Sequence, residues 1–185
     1  MSNETVTLPT PGAYTIDKAH TEVGFVARHL IGTKVRGRFT KFDGTITVAD
    51  PPENSTLEAE VDAASIETGV DMRDDHLRTN DFLDVPNHPK ITLKSSSLSR
   101  KSDSVWDLTA DLTIRGVTKP VVFTLEYHGS GPGMSPGSQV VAFSASAEID
   151  RRDFGVNFNS VLEGGGIVVG NKVTIEIEVE AALEP

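Results

Sequence analysis

Apolar and polar residues alternate along most of this chain with a period of two. In "NKVTIEIEVEA", Val173, Ile175, Ile177 and Val179 share one face, and Thr174, Glu176, Glu178 and Glu180 share the other. Successive side chains of a strand point to opposite sides, so this reads as a strand with one dry and one wet face. The pattern recurs with Leu57, Ala59, Val61 and Ala63, and with Trp106, Leu108, Ala110, Leu112 and Ile114. It recurs again with Val121, Phe123, Leu125 and Tyr127, and with Val141, Phe143, Ala145, Ala147 and Ile149. Near the start, Val23, Phe25 and Ala27 repeat it. The parity flips between Val35, Gly37, Phe39 and Phe42, Ile46, Val48, which predicts a bulge or turn at Asp43-Gly44. Turn-rich stretches such as "ADPPENS", "RKSDS" and "GSGPGMSPGS" separate the runs.

The pattern predicts one all-β domain over residues 13–183, preceded by a flexible segment at 1–12. With almost no helix to cover the dry faces, a second sheet or closure into a barrel must do so. Small residues (Ala27, Gly37, Ala59, Ala63, Ala110, Ala145 and Ala147) fall on those faces. They suit tight packing of two sheets or an unfilled barrel interior, and alternation does not choose between the two.

One stretch departs from the alternation. Seven charged side chains and His76 crowd into "DMRDDHLRTNDFLD", Asp71–Asp84. Asp71 is the candidate N-cap of a short helix, and Asp74 and Arg78 stand at i,i+4 with the acid first. Pro86 and Pro89 bring the segment to a stop. Met72 and Leu77 are its strong apolar residues, so the helix is expected to lie as a plug across the end of a β structure.

Composition excludes several classes. The chain has no cysteine, so it forms neither disulfides nor thiolate-ligated metal centres. Its net charge of −10 opposes nucleic acid and anionic membrane surfaces. No apolar run is long enough to span a bilayer, and the first residues lack the basic start and apolar core of a secretion signal, which predicts a cytoplasmic protein.

Candidate chemistry is thin. "GMSPG" at Gly133–Gly137 matches G-x-S-x-G, but Pro136 comes directly after the serine and cannot supply the oxyanion-hole N–H. The five histidines offer no H-x-x-x-H pair, and His20 and His29 would lie roughly 30 Å apart on one extended strand, so no metal site is assigned. "GGGIVVG" at 164–170 lacks phosphate-loop spacing and reads as a turn or bulge. The sequons at Asn3 and Asn54 carry no weight without secretion.

Five blocks carry a family resemblance: "YTIDKAHTEVGFVARH", "VRGRFTKFDGTI", "SIETGVDMRDDHLRTNDFLD", "LTIRGVTKPVVF" and "IDRRDFGV". In this order, over most of the span from Tyr14 to Val179, they resemble the YceI-like family. The resemblance implies an extended antiparallel, lipocalin-like β-barrel whose apolar interior holds a polyisoprenoid, an isoprenoid quinone or a long-chain amphiphile, with a short helix at one barrel end. It also implies a possible homodimer, and many members are exported. Under it, the small inward residues become cavity lining. Arg73, Asp74 and Asp81 become candidates for ion pairs with Arg115, Arg151 and Asp153.

The expected lining is Val23, Phe25, Ala27, Phe39, Leu57, Ala59, Val61, Leu108, Leu112, Phe123, Phe143 and Ile175, with Leu77 and Phe82 near one end and His20 placed to bond a headgroup. No catalytic residue and no cofactor are assigned, a bound isoprenoid apart. Two rivals stand beside this carrier of a long apolar molecule. One is an enzyme working on an isoprenoid or quinone headgroup through Asp17, His20 or His76; the other is a filled β-sandwich that serves as an interaction module.

Overall fold

The computed structural model describes residues 6–163 and 168–185. Its strands are β1 (Gly12–Ile16), β2 (Glu22–His29), β3 (Thr33–Phe39), β4 (Phe42–Val48), β5 (Thr56–Asp62) and β6 (Ile66–Glu67). They continue, after the helix α1 (Asp71–Arg78), with β7 (Lys90–Arg100), β8 (Val105–Ile114), β9 (Val117–Pro132), β10 (Gln139–Asp150) and β11 (Val169–Leu183). All pairings among the described residues are antiparallel.

Six of these strands make only three staves. β1 and β2 lie along the same edge of β11, with Ile16 opposite Ala181 and Val23 opposite Ile177. They are one long strand interrupted at residues 17–21. β4 pairs with β1 while β3 pairs with β2, and β5 pairs with β4 while β6 pairs with β3. Together with the meander β7 to β11, and with β5 paired to β7, they close an eight-stave antiparallel barrel. The fold is therefore mostly β, with one short helix.

Closure explains why alternation serves on one face only. A barrel has one interior, so every stave buries one parity and wets the other. The wet face carries cross-strand ion pairs such as Lys94 with Glu58 and Lys90 with Glu60. The parity flip lies at Thr40-Lys41, between β3 and β4, and not at Asp43-Gly44, which sit inside β4. Two residues are passed there while the stave keeps its direction: the Thr40 N–H donates to the Ser65 carbonyl and the Lys41 carbonyl accepts from Asp62 N–H.

The stave β5–β6 stops at Glu67, and β7 starts only at Lys90. The barrel wall is thus short of strand there, and α1 with the residues after it fills the gap. The guanidinium of Arg78 donates to the carbonyls of Ala64 (2.8 Å) and Ile66 (2.9 Å) at the strand edge. Asp71 does not cap the helix. The N-cap is Val70, and Asp71 lies in the first turn. Asp74 does not pair with Arg78 either: its buried carboxylate accepts the backbone N–H and the hydroxyl of Thr68, while Arg78 pairs with Asp75 at 3.0 Å. A carboxylate among backbone donors bonds them in preference to a cation that has carbonyls of its own to reach. The helix ends at Arg78, before either proline, because the N–H and hydroxyl of Thr79 both turn back onto the His76 carbonyl.

The other end of the barrel is crossed by the residues before β1. Tyr127 donates its phenol to the Thr7 carbonyl (2.8 Å) and Tyr14 to the Thr10 carbonyl (2.7 Å). Burial raises the pKa of both phenols, which keeps them protonated as donors. Of the segment expected to be flexible, residues 1–5 lie outside the described residues. In the "GGGIVVG" segment, residues 164–167 lie outside them too, and the register against β2 slips between Val169 and Val173.

Candidate functional site

Inward-facing residues normally lose nearly all contact with solvent. Here many do not: Val23, Phe25, Ala27, Leu57, Ala59, Val173, Ile175 and Ile177 all point inward yet are only half-buried. The exposure is internal. They border a cavity of about 230 Å³. Its wall runs along β11 from Val169 to Val179, a stretch of strand about 30 Å long at ~3.3 Å per residue. The space is drawn out along that strand as an elongated apolar slot. The wall is apolar apart from Thr21, Asp43, Thr92 and Arg151.

Arg151 looks like a charge in an apolar tunnel, but each of its three guanidinium nitrogens already donates to a carbonyl. It is 5% exposed, and its guanidinium donates to the carbonyls of Val156 (2.8 Å), Gly170 (3.0 Å) and Val169 (3.3 Å). Burial lowers its pKa, though a guanidinium remains charged. Its role is to tie the β10–β11 connection to the barrel end.

Of the residues expected to line the interior, Val23, Phe25, Ala27, Phe39, Leu57, Ala59, Val61, Leu77, Phe82, Leu112, Phe123 and Ile175 border this cavity. Leu108 and Phe143 do not; they border a second space of about 100 Å³ at the opposite end, under Leu8 and Pro9. His20 borders neither and lies on the outer surface. Most of the small residues are packing, not lining. Ala63, Ala110, Ala145 and Ala147 are buried, while Ala27 and Ala59 alone of the alanines border the slot. Gly37 is filled by its neighbour, since the ring of Phe25 lies where a side chain at Gly37 would be. A small residue opposite a large one removes space where the large one leans over it.

The same barrel recurs in solved structures. Burkholderia cenocepacia BcnA superposes with a TM-score of 0.76 at 21% identity, covering 89% of this chain and 98% of that one. A Campylobacter jejuni YceI protein superposes at 0.74 with 29% identity, covering 91% and 96%. A polyisoprenoid binding domain from Saccharophagus degradans does so at 0.69 with 18% identity, covering 92% and 98%. Among sequences, a UPF0312 protein of Staphylococcus aureus is 34% identical over 172 residues, 92% of this chain and 97% of its own. The model of the YceI-like domain matches residues 14–181. The chain belongs to the YceI-like family.

In this YceI-like barrel the helix end of the slot is covered by Leu77, Phe82 and Leu83. Above them, His76 stands edge-on to Phe82 (5.0 Å between centroids) and to Phe158 (5.1 Å), with Phe82 and Phe158 5.2 Å apart. Phe158 belongs to the irregular stretch before β11, so the three rings join that stretch to α1. His76 also bonds Asp81 at 2.8 Å. The expected ion pairs among Arg73, Asp74, Asp81, Arg115, Arg151 and Asp153 are not formed. Arg73 donates to Thr68, and Arg115 donates to Asn80 and to the Phe82 carbonyl. In this YceI-like protein Arg73, Arg78, Arg115 and Arg151 bond backbone carbonyls, while cations of the outer wall such as Arg36, Arg38, Lys90 and Lys94 pair with carboxylates. Phe158, Phe154 and Val156 carry no periodic signal. Val173, Ile177 and Val179 share the parity of Ile175 and are open to the same reading.

On the outer surface, where β1 passes to β2, Asp17, His20 and Glu180 hold potential ligand atoms within 4.8 Å of one another. The Asp17 carboxylate bonds the His20 ring at 2.8 Å. That bond is the main cause of the lowered pKa of Asp17 and the raised pKa of His20. Two carboxylates and an imidazole can take a divalent cation. The group is separate from the slot. No helix among the described residues is long and apolar enough to cross a membrane.

Proposed function

We propose that this protein binds a long, thin apolar molecule inside the barrel and stores, carries or senses it without converting it. A polyisoprenoid or isoprenoid quinone is the chemical class that fits best. The observation that carries the reading is the slot: about 230 Å³ of apolar space stretched along β11. Pockets for compact drug-sized ligands run to ~300–1,000 Å³ and have several polar anchors. This one is elongated along β11 and nearly free of them, which favours a linear hydrocarbon. Burial at about 0.8 kcal/mol per methylene supplies the affinity, less the cost of ordering the chain. The polyisoprenoid binding domain from Saccharophagus degradans, which shares the fold, supports the same class.

A reaction would need groups facing the slot, and the histidines weighed for acid–base work face elsewhere. His20 is on the outer wall, and the His76 ring is held between Phe82, Phe158 and Asp81.

Native mass spectrometry of freshly purified protein, followed by solvent extraction, tests the reading. The expected result is an isoprenoid-class adduct, or uptake of an added isoprenoid quinone as an unchanged molecule. Ala59→Trp, which fills the slot from β5, should weaken uptake at least ~100-fold while the circular dichroism spectrum stays that of a folded β protein, since an indole buries ~150–250 Å². Protein that takes up neither quinones nor prenols, or that returns them chemically altered, sinks the proposal.

A further inference from the structure

Resting on the carrier reading, we propose that Leu57 is a chain-length gate, and that the small compartment behind it is a subsite for the hydrocarbon end of a bound prenyl chain. The two internal spaces, about 230 Å³ and about 100 Å³, lie end to end along the barrel. Among the described residues Leu57 is the one that borders both. It also packs against both buried clusters, the one around Phe123 and the one around Tyr14.

The rest of the partition is solid. Tyr14 and Phe123 are each 1% exposed, and Ala110 and Ala181 have no exposure at all. Tyr14 is further held by its bond to the Thr10 carbonyl. Leu57 is only half-buried because it has empty space on both sides. A leucine with room around it changes rotamer readily, whereas a close-packed aromatic does not. So Leu57 is the part of the partition that can move.

The chemistry of the smaller compartment decides which end of a ligand enters. Leu98, Trp106, Leu108, Leu125 and Phe143 wall it, and the Tyr127 phenol beside it is committed to the Thr7 carbonyl. Besides that phenol, Ser55 and Thr56 are the hydroxyl-bearing residues among the described lining, so a headgroup entering there would lose its water for few partners, and the hydrocarbon end goes in. The compartment is the smaller of the two spaces, and Leu57 stands between it and the slot. Leu57→Ala removes three carbon atoms from the partition and so joins the compartment to the slot.

The test is a ladder of all-trans prenols, from farnesol upward by single isoprene units, added to the full chain and read by native mass spectrometry and by competition with a fluorescent fatty probe. Wild type should bind more tightly with each unit up to a limiting length and then lose affinity. Leu57→Ala should raise that limit and bind the first over-long prenol at least ~10-fold more tightly than wild type does. Leu57→Phe, which adds bulk and guards against failure of the smaller variant to fold, should lower the limit. An identical limit in wild type and in folded, prenol-binding variants overturns the gate. A wild type that takes up no prenol of any length overturns the carrier reading and the gate with it, so the two failures are distinct.

Discussion

Two lengths of the same barrel behave differently. Towards the helix end, the inward residues of β2 and β11 are half-buried around a void. In the middle of the barrel, Tyr14, Phe123, Ala110, Val141 and Ala181 have the same inward parity and the same apolar chemistry, yet are close-packed. Hydrophobicity does not distinguish them. What differs is what faces them across the interior. Phe123 clusters with Ala110, Ala145 and Ala147, and Tyr14 with Ala181, so large side chains fill the space that small ones leave. At the helix end the ring of Phe25 lies back over Gly37 on its own wall, 5.9 Å from Phe39, and leaves the axis empty. An aromatic residue fills a barrel or lines it according to whether it points across the axis or along the wall.

Truncating one ring on each side sharpens this contrast most. Phe123→Ala should cost about 3–5 kcal/mol, because it opens a cavity in close packing. Phe25→Ala should cost about half as much, since part of that ring already faces a void. Urea denaturation of the two variants checks the difference, and equal losses would mean that the helix end is as tightly filled as the middle. Arg151→Met tests what holds the hollow end together. It leaves three carbonyls without their donor, and the expected loss is about 3 kcal/mol in the same measurement. Arg151→Lys should restore little, since one ammonium does not reproduce the guanidinium fork.

At the opposite end, Tyr127→Phe removes one bond to the Thr7 carbonyl and should cost about 1 kcal/mol. Amide exchange should quicken at residues 7–11 and stay unchanged around α1. The smallest effect is expected at Asp17 and His20, which lie on the outer surface. His20, held charged by its bond to Asp17, should titrate above its ordinary 6.5, and Asp17 below its ordinary 3.8. The raised histidine contributes below its unfolded pKa and loses that contribution as pH rises through its folded value. The lowered carboxylate contributes above its unfolded pKa and loses it as pH falls through its folded value. The pair is therefore complete between about 3.8 and 6.5, and NMR titration should find His20 back near its ordinary value in Asp17→Asn.

Most of the wall is legible because alternation is a local property. Val23, Phe25, Ala27, Ala59 and Ile175 can be placed on the inner face from their neighbours alone. Leu108 and Phe143 carry the same signal and still end in the other compartment, since parity says which way a side chain points and not how far along the barrel it stands. Arginines read as partners for carboxylates because charge is visible in a sequence. Carbonyls left unpaired at a stave's end or in a turn are not, and it is those that Arg78, Arg115 and Arg151 bond.

The sequence by itself determined the period of two, the side of each strand that faces inward, the short charged helix and the apolar character of the interior, all of which rest on residues close together in the chain. Only the tertiary structure decided that six short strands join into three staves, that Phe25 lies back over Gly37 while Tyr14 and Phe123 fill the middle, and that Leu57 stands between two voids. Those facts depend on which distant residues face one another across the barrel, and an empty space is a relation among side chains that no single stretch of sequence contains.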